Sequence, residues 1–125
     1  MATIVTVAPP VVEVGIAKGS TKTLELSVID AVDAPVNLTG AIVTFTVKKS
    51  ITDVTAQIVK SSTDVDEILI TNPTGGVARI FLIPTDTSTK ATGRYIFDIW
   101  VELSGGKKYQ VIGPSTFTIN PAVTP

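Results

Sequence analysis

Two residue types are missing from this chain altogether, cysteine and histidine. Without cysteine there is no disulfide framework, and thiol usage says nothing of the redox compartment. Without either residue, Ser-His-Asp and Cys-His catalysis, the usual zinc sites and iron–sulfur clusters are excluded by inventory. An excess of one charge is missing too: Lys and Arg number 10 and Asp and Glu 11, a formal net charge of -1, with no long run of either sign. Nucleic-acid binding rests on neutralising several phosphates, and no basic stripe offers that, so no nucleic-acid partner is expected. The longest apolar opening, Ile4 to Val12, is interrupted by Pro9 and Pro10, lacks a basic flank and is too short to span a bilayer. Neither a secretory signal nor a membrane partner is expected.

What is present fits one domain. At 125 residues a chain buries about two thirds of the surface it exposes when unfolded, and needs no metal or disulfide to hold it. A mean hydropathy of +0.42 with only 17% charged residues is high for a soluble monomer. Such chains hide apolar surface against other chains, so a homo-oligomer or other multi-copy assembly is expected.

Short runs with a period of two dominate the chain. Residues 1–10, rich in Thr, Val and Pro, read as an extended N-terminal arm. Residues 11–120 read as a β domain and residues 121–125 as a tail. Val11 to Ala17 reads as a first strand that Gly19 and Ser20 turn into a second, in which Leu24, Leu26 and Val28 alternate with Thr23, Glu25 and Ser27. Val43, Phe45 and Val47 then face inward on a third strand, with Thr44, Thr46 and Lys48 outward. Ala56 to Lys60 is expected at a sheet edge, and Ile68 to Thr71 is a brief strand. Val77 to Ile83 carries apolar residues in both registers, so its alternation leaves the buried face open. Thr85 or Asp86 is placed to cap a helical turn running to Ala91. The last strand, Lys108 to Ile119, is broken at Gly113 and Pro114 as at a bulge or bend. Seven to nine short strands, with turn signals every 8 to 12 residues, predict an all-β, antiparallel sandwich.

The most informative stretch is Tyr95 to Leu103. Tyr95, Phe97, Ile99, Val101 and Leu103 share the core face, while Arg94, Ile96, Asp98, Trp100 and Glu102 point away. Ile96 and Trp100 on that outer face ask for cover, either from an arm or loop of the same chain or from another protein. Arg94 and Lys48 are expected to rim the patch. Gly93 and Tyr95 read as a structural corner, the glycine adopting a conformation other residues resist and the tyrosine hydroxyl tying back to upstream backbone, as in immunoglobulin-type sandwiches.

The segments LTGAIVTFTVKKS (Leu38 to Ser50), IVKSS (Ile58 to Ser62), GGVARIFLIPTDT (Gly75 to Thr87) and TGRYIFDIWVELSGGKKYQVIGPSTFTINP (Thr92 to Pro121) together resemble a phage domain. It is the immunoglobulin-like N-terminal domain of bacteriophage baseplate upper proteins and the small phage and prophage proteins similar to it. The resemblance covers Leu38 to Pro121 and rests on alternation and turns, with no catalytic motif. It implies a non-catalytic virion protein, made in the host cytoplasm and docked among other virion proteins on the tail or baseplate. Two alternatives stay open: a capsid decoration protein on the head surface, and a host-adhesion module that binds surface glycans through Trp100, Tyr95 or Tyr109.

Other polar groups read as structural. Asp64, Asp66 and Glu67 supply the oxygen ligands that Ca²⁺ takes, but lack the glycine and distal glutamate of an EF-hand loop, so no metal is expected. Asp30 and Asp33 flank a turn, with no pocket-forming residues to make them an acid–base pair. No catalytic residue and no cofactor follow from the sequence.

Overall fold

A computed structural model describes residues 4–7 and 13–123. Nine strands and one short helix follow in the order β1 (Ile4–Val7), β2 (Glu13–Ala17), β3 (Lys22–Asp30), β4 (Ile42–Lys48), β5 (Ile58–Ser61), β6 (Ile68–Asn72), β7 (Val77–Leu82), α1 (Pro84–Thr87), β8 (Gly93–Glu102) and β9 (Lys108–Asn120). They build a four-stranded sheet, β1-β3-β7-β6, facing a five-stranded sheet, β2-β9-β8-β4-β5. This is the strand arrangement of an immunoglobulin-like sandwich. Of the arm expected over residues 1–10, only Ile4–Val7 lies among the described residues, and its backbone pairs with β3. The rest of that arm, and the last two residues of the tail, lie outside them.

Alternation positions most of the core. Leu26 and Val28 on β3, Val43, Phe45 and Val47 on β4, and Tyr95, Phe97, Ile99 and Val101 on β8 are all buried. On β7, Ala78, Ile80 and Leu82 go inward, while Val77, Arg79 and Phe81 face out. Arg79 decides that choice: a guanidinium is stable at the surface, where it meets Glu25 across the strand pair at 3.2 Å.

At the centre, Phe45, Phe97 and Phe117 from β4, β8 and β9 pack with ring centroids 5.6, 6.1 and 6.4 Å apart in tilted and edge-on arrangements. Phe97 stands two residues after Tyr95, where antibody-type domains place the second cysteine of their inter-sheet disulfide. The aromatic cluster therefore supplies the centre of the core that a cross-link supplies there.

Two expectations need correction. The first strand does not form a hairpin with the second: β2 lies in the opposite sheet, parallel to β9, with Glu13 beside Thr116 and Ala17 beside Asn120. The turn between β2 and β3 crosses between sheets, held where the Gly19 N–H donates to the buried Thr87 hydroxyl at 2.8 Å. The bulge expected in the last strand lies at Gly113 and Pro114: Phe97 pairs with Ser115 and Ile99 with Ile112, so these two residues stand opposite Asp98 while the strand runs on from Lys108 to Asn120. The helical turn stops at Thr87, with Ile83 as its N-cap and Pro84 in the first turn. Asp86 acts from inside it, accepting the Ile83 N–H at 2.8 Å, and Thr85 is exposed.

One glycine is required by close packing. Gly76 has φ 71°, its carbonyl accepts the Val28 N–H at 2.8 Å, and an added Cβ would stand 2.7 Å from the Val28 carbonyl oxygen and 2.8 Å from that of Val36. No side chain fits there without moving backbone.

Candidate docking face

The register of the five-stranded sheet brings the outward residues of β8 together with those of β4 and β9. Trp100 lies between Thr44 and Gln110, and Ile96 between Lys48 and Thr116. The indole does not swing freely: its Nε1–H donates to Asp98 Oδ2 at 3.0 Å, and the Gln110 amide donates to the same oxygen at 3.2 Å. One carboxylate thus orients the ring and satisfies its only donor. The residue as a whole stays 41% exposed.

Trp100 forms a ridge between two hollows. One, of about 250 Å³, is lined by Ile96, Ile51, Pro114, Thr46 and Lys48 together with the indole; the other, of about 400 Å³, by Ile42, Thr44, Glu102 and Lys108. Cover from the described residues of the same chain is partial. Ile51, in the loop after β4, and Pro114, at the irregularity in β9, wall the first hollow but leave it open, and β1 belongs to the other sheet. Ile96 and Lys48 are half-buried, and Arg94 is exposed.

The corner residues sit at the start of β8. Tyr95 is buried, and its hydroxyl donates to the Ala91 carbonyl at 2.7 Å. The Lys49 ammonium lies 4.4 Å from the centroid of the Tyr95 ring and donates to the Arg94 carbonyl at 3.3 Å. Gly93, with φ 137°, lets the chain turn sharply into the strand below that ammonium. These contacts fix the direction in which β8 leaves the corner, and with it the placement of Ile96 and Trp100.

The remaining polar groups serve the fold. Asp30 Oδ1 accepts the Val32 and Ala34 N–H groups, forming the turn after β3. Asp64 accepts the Asp66 N–H. Glu67 accepts the Ser61 N–H at 3.0 Å, so a strand adding at that part of β5 would have to displace a carboxylate. No cluster of three or more metal-binding side chains occurs among the described residues.

Two features were not drawn out of the sequence. Lys60 is buried and paired with Asp86 at 2.8 Å. Its signal was the alternation itself, since Lys60 shares the inward register of Ile58, and a charge placed there needs a partner. The second is an apolar surface on the four-stranded sheet around Phe81 and Leu69, legible once Arg79 marks its register as the outer one.

No protein-family model matches the chain, and no curated protein sequence matches it. Among solved structures, the chain is similar to CopC from Methylosinus trichosporium OB3b, with 16% identity over 100% of this chain and 99% of that one and a TM-score of 0.50. It is also similar to murine CRIg, with 11% identity over 98% of each chain and a TM-score of 0.38. At 16% identity the first likeness bears on the fold alone.

Proposed function

We propose that this chain is a non-catalytic structural subunit of a bacteriophage particle, an immunoglobulin-like module that docks on neighbouring virion proteins through the outer face of its five-stranded sheet. The observation that carries the docking step is the oriented, half-exposed Trp100 ridge with an open hollow on either side. An aromatic held in one rotamer loses little freedom on binding, so its burial translates into affinity more fully than that of a mobile side chain. The placement on a tail or baseplate is supported by the resemblance carried by Leu38 to Pro121. The absence of histidine and cysteine supports a role without Ser-His-Asp or Cys-His catalysis and without the usual zinc sites.

Complementation of a particle-assembly system with Trp100→Asp tests this reading. The substitution puts a charge on the ridge and touches no core residue. The variant is expected to give the wild-type circular dichroism spectrum and to be missing from purified particles. Incorporation at the wild-type level would overturn the docking role of this face.

A further inference from the structure

A gap enters the core along one side of the sandwich. Both sheets lose their edge strand there among the described residues. β1 pairs with β3 from Val28 to Asp30, leaving Lys22 to Ser27 with β7 alone, and β2 pairs with β9 from Thr116 onward, leaving the earlier part of β9 with β8 alone. Between the two sheets on this side lies a cavity of about 170 Å³. Leu24 and Leu26 of β3 and Ile80 of β7 line it from one sheet, and Phe97 and Ile99 of β8, Ile112 of β9 and Val14 of β2 from the other. Leu24 is half-buried and the other six are buried, while the exposed Thr23 and Glu25 border the mouth.

The wall selects the occupant. All seven of those side chains are hydrocarbon, and no buried side-chain nitrogen or oxygen among the described residues lacks a hydrogen bond, so none of them asks for a water. A water needs at least two polar partners, whereas an apolar cavity of about 150 Å³ stays dry and takes benzene or xenon. A charged or polyhydroxylated molecule would lose its hydration with nothing in return. Drug-sized ligands need about 300 Å³ or more, which bounds the size from above. Glu25 at the mouth is answered by Arg79 at 3.2 Å on the outer face, so its charge is already engaged.

We propose that this cavity is a binding site for one small, uncharged, hydrocarbon-like molecule of about the size of benzene, which enters past Thr23 and Glu25. Side chains that face an empty space lack dispersion partners on that side, and an apolar guest supplies them without breaking a hydrogen bond. Phe97 belongs both to this wall and to the central aromatic cluster, so the guest lies against the middle of the core. The site and the docking reading are independent, and neither stands or falls with the other.

Methyl NMR of the full-length chain, titrated with benzene, tests this. Saturable shifts are expected at the methyl groups of Val14, Leu26, Ile80 and Ile112, with those of Ile51 and Ile96 beside Trp100 and of Leu69 on the other sheet unmoved. Because the cavity exists only in the folded chain, the melting temperature is expected to rise with benzene concentration. Benzoate, the same ring with a charge, is expected to cause no saturable shift. Leu24→Phe puts a larger side chain into the gap, and is expected to keep the wild-type circular dichroism spectrum and bind benzene at least about tenfold more weakly. Wild-type methyl groups that stay in place, or that shift without saturating, overturn the proposal. A saturable response confined to the surface beside Trp100 or Leu69 overturns it too, as does a folded Leu24→Phe that binds as tightly as wild type. Equal binding of benzoate would refute the apolar class of ligand. If Leu24→Phe fails to fold, the pattern of wild-type shifts decides by itself.

Discussion

Lys60 reaches inward from β5 and places its Nζ 2.8 Å from Asp86 Oδ2, tying the edge of the five-stranded sheet to the helical turn that follows β7 of the other sheet. The same turn offers Thr87 to the Gly19 N–H, and the backbone just beyond it takes the Tyr95 hydroxyl at Ala91. Two long-range ties and one local one therefore meet at one corner, from which β8 carries Ile96 and Trp100 along the outer face of the sheet. The corner is structural, and the placement of Ile96 and Trp100 depends on it.

Removing one partner of the inward pair is expected to be costly. The Lys60 side chain is only 6% exposed, and Asp86→Ala leaves its charge without a counter-ion, at a cost of about 3 kcal/mol. The double variant Lys60→Met, Asp86→Ala is expected to recover a large part of that loss, because no charge is then left inside. Urea unfolding of the two proteins checks both statements, and a double variant weaker than the single one would contradict them.

Tyr95→Phe keeps the buried ring beneath Lys49 and deletes only the bond to Ala91. Loss of one such hydrogen bond is expected to cost about 1 kcal/mol. It is measured as a lower urea midpoint with an unchanged slope, the sign of a change in stability alone.

Gly76→Ala introduces a Cβ into a left-handed position under two carbonyl oxygens. The backbone strain alone amounts to about 1–3 kcal/mol, and the contact with Val28 and Val36 adds to it. Thermal unfolding is expected to show a loss above about 2 kcal/mol, against a small change for Gly105→Ala, where a Cβ meets nothing.

Asp98→Ala separates the orientation of Trp100 from the stability of the fold. Asp98 and its two donors lie on the outer face, so stability is expected to move by no more than about 0.5 kcal/mol. The chain holds a single tryptophan, and its fluorescence anisotropy is expected to fall as the indole gains freedom, together with incorporation into particles. A variant that loses anisotropy yet docks normally would show that orientation of the ring does not matter.

Local pattern carried much of the architecture. Leu26 and Val28, Val43 to Val47, and Tyr95 to Val101 could be assigned to the core from alternation, since a pleated strand turns successive side chains to opposite faces wherever it lies. The outward placement of Ile96, Trp100, Arg94 and Lys48 follows from the same rule, and so does the inward register of Lys60. β7 resisted because both of its registers are apolar except at Arg79, the one residue whose charge distinguishes them.

Composition and periodicity were enough for a sandwich of short strands and for the membership of its inner and outer faces, because those properties depend on residues one or two places apart. The sheet to which β2 belongs, its parallel alignment with β9 and the meeting of Lys60 with Asp86 emerged only in three dimensions. Each depends on contacts between residues distant in the chain, which no local period encodes. The orientation of Trp100 is of the same kind: its neighbour Asp98 is two residues away, but Gln110, which holds that carboxylate from the other side, reaches it only after the chain has turned back on itself.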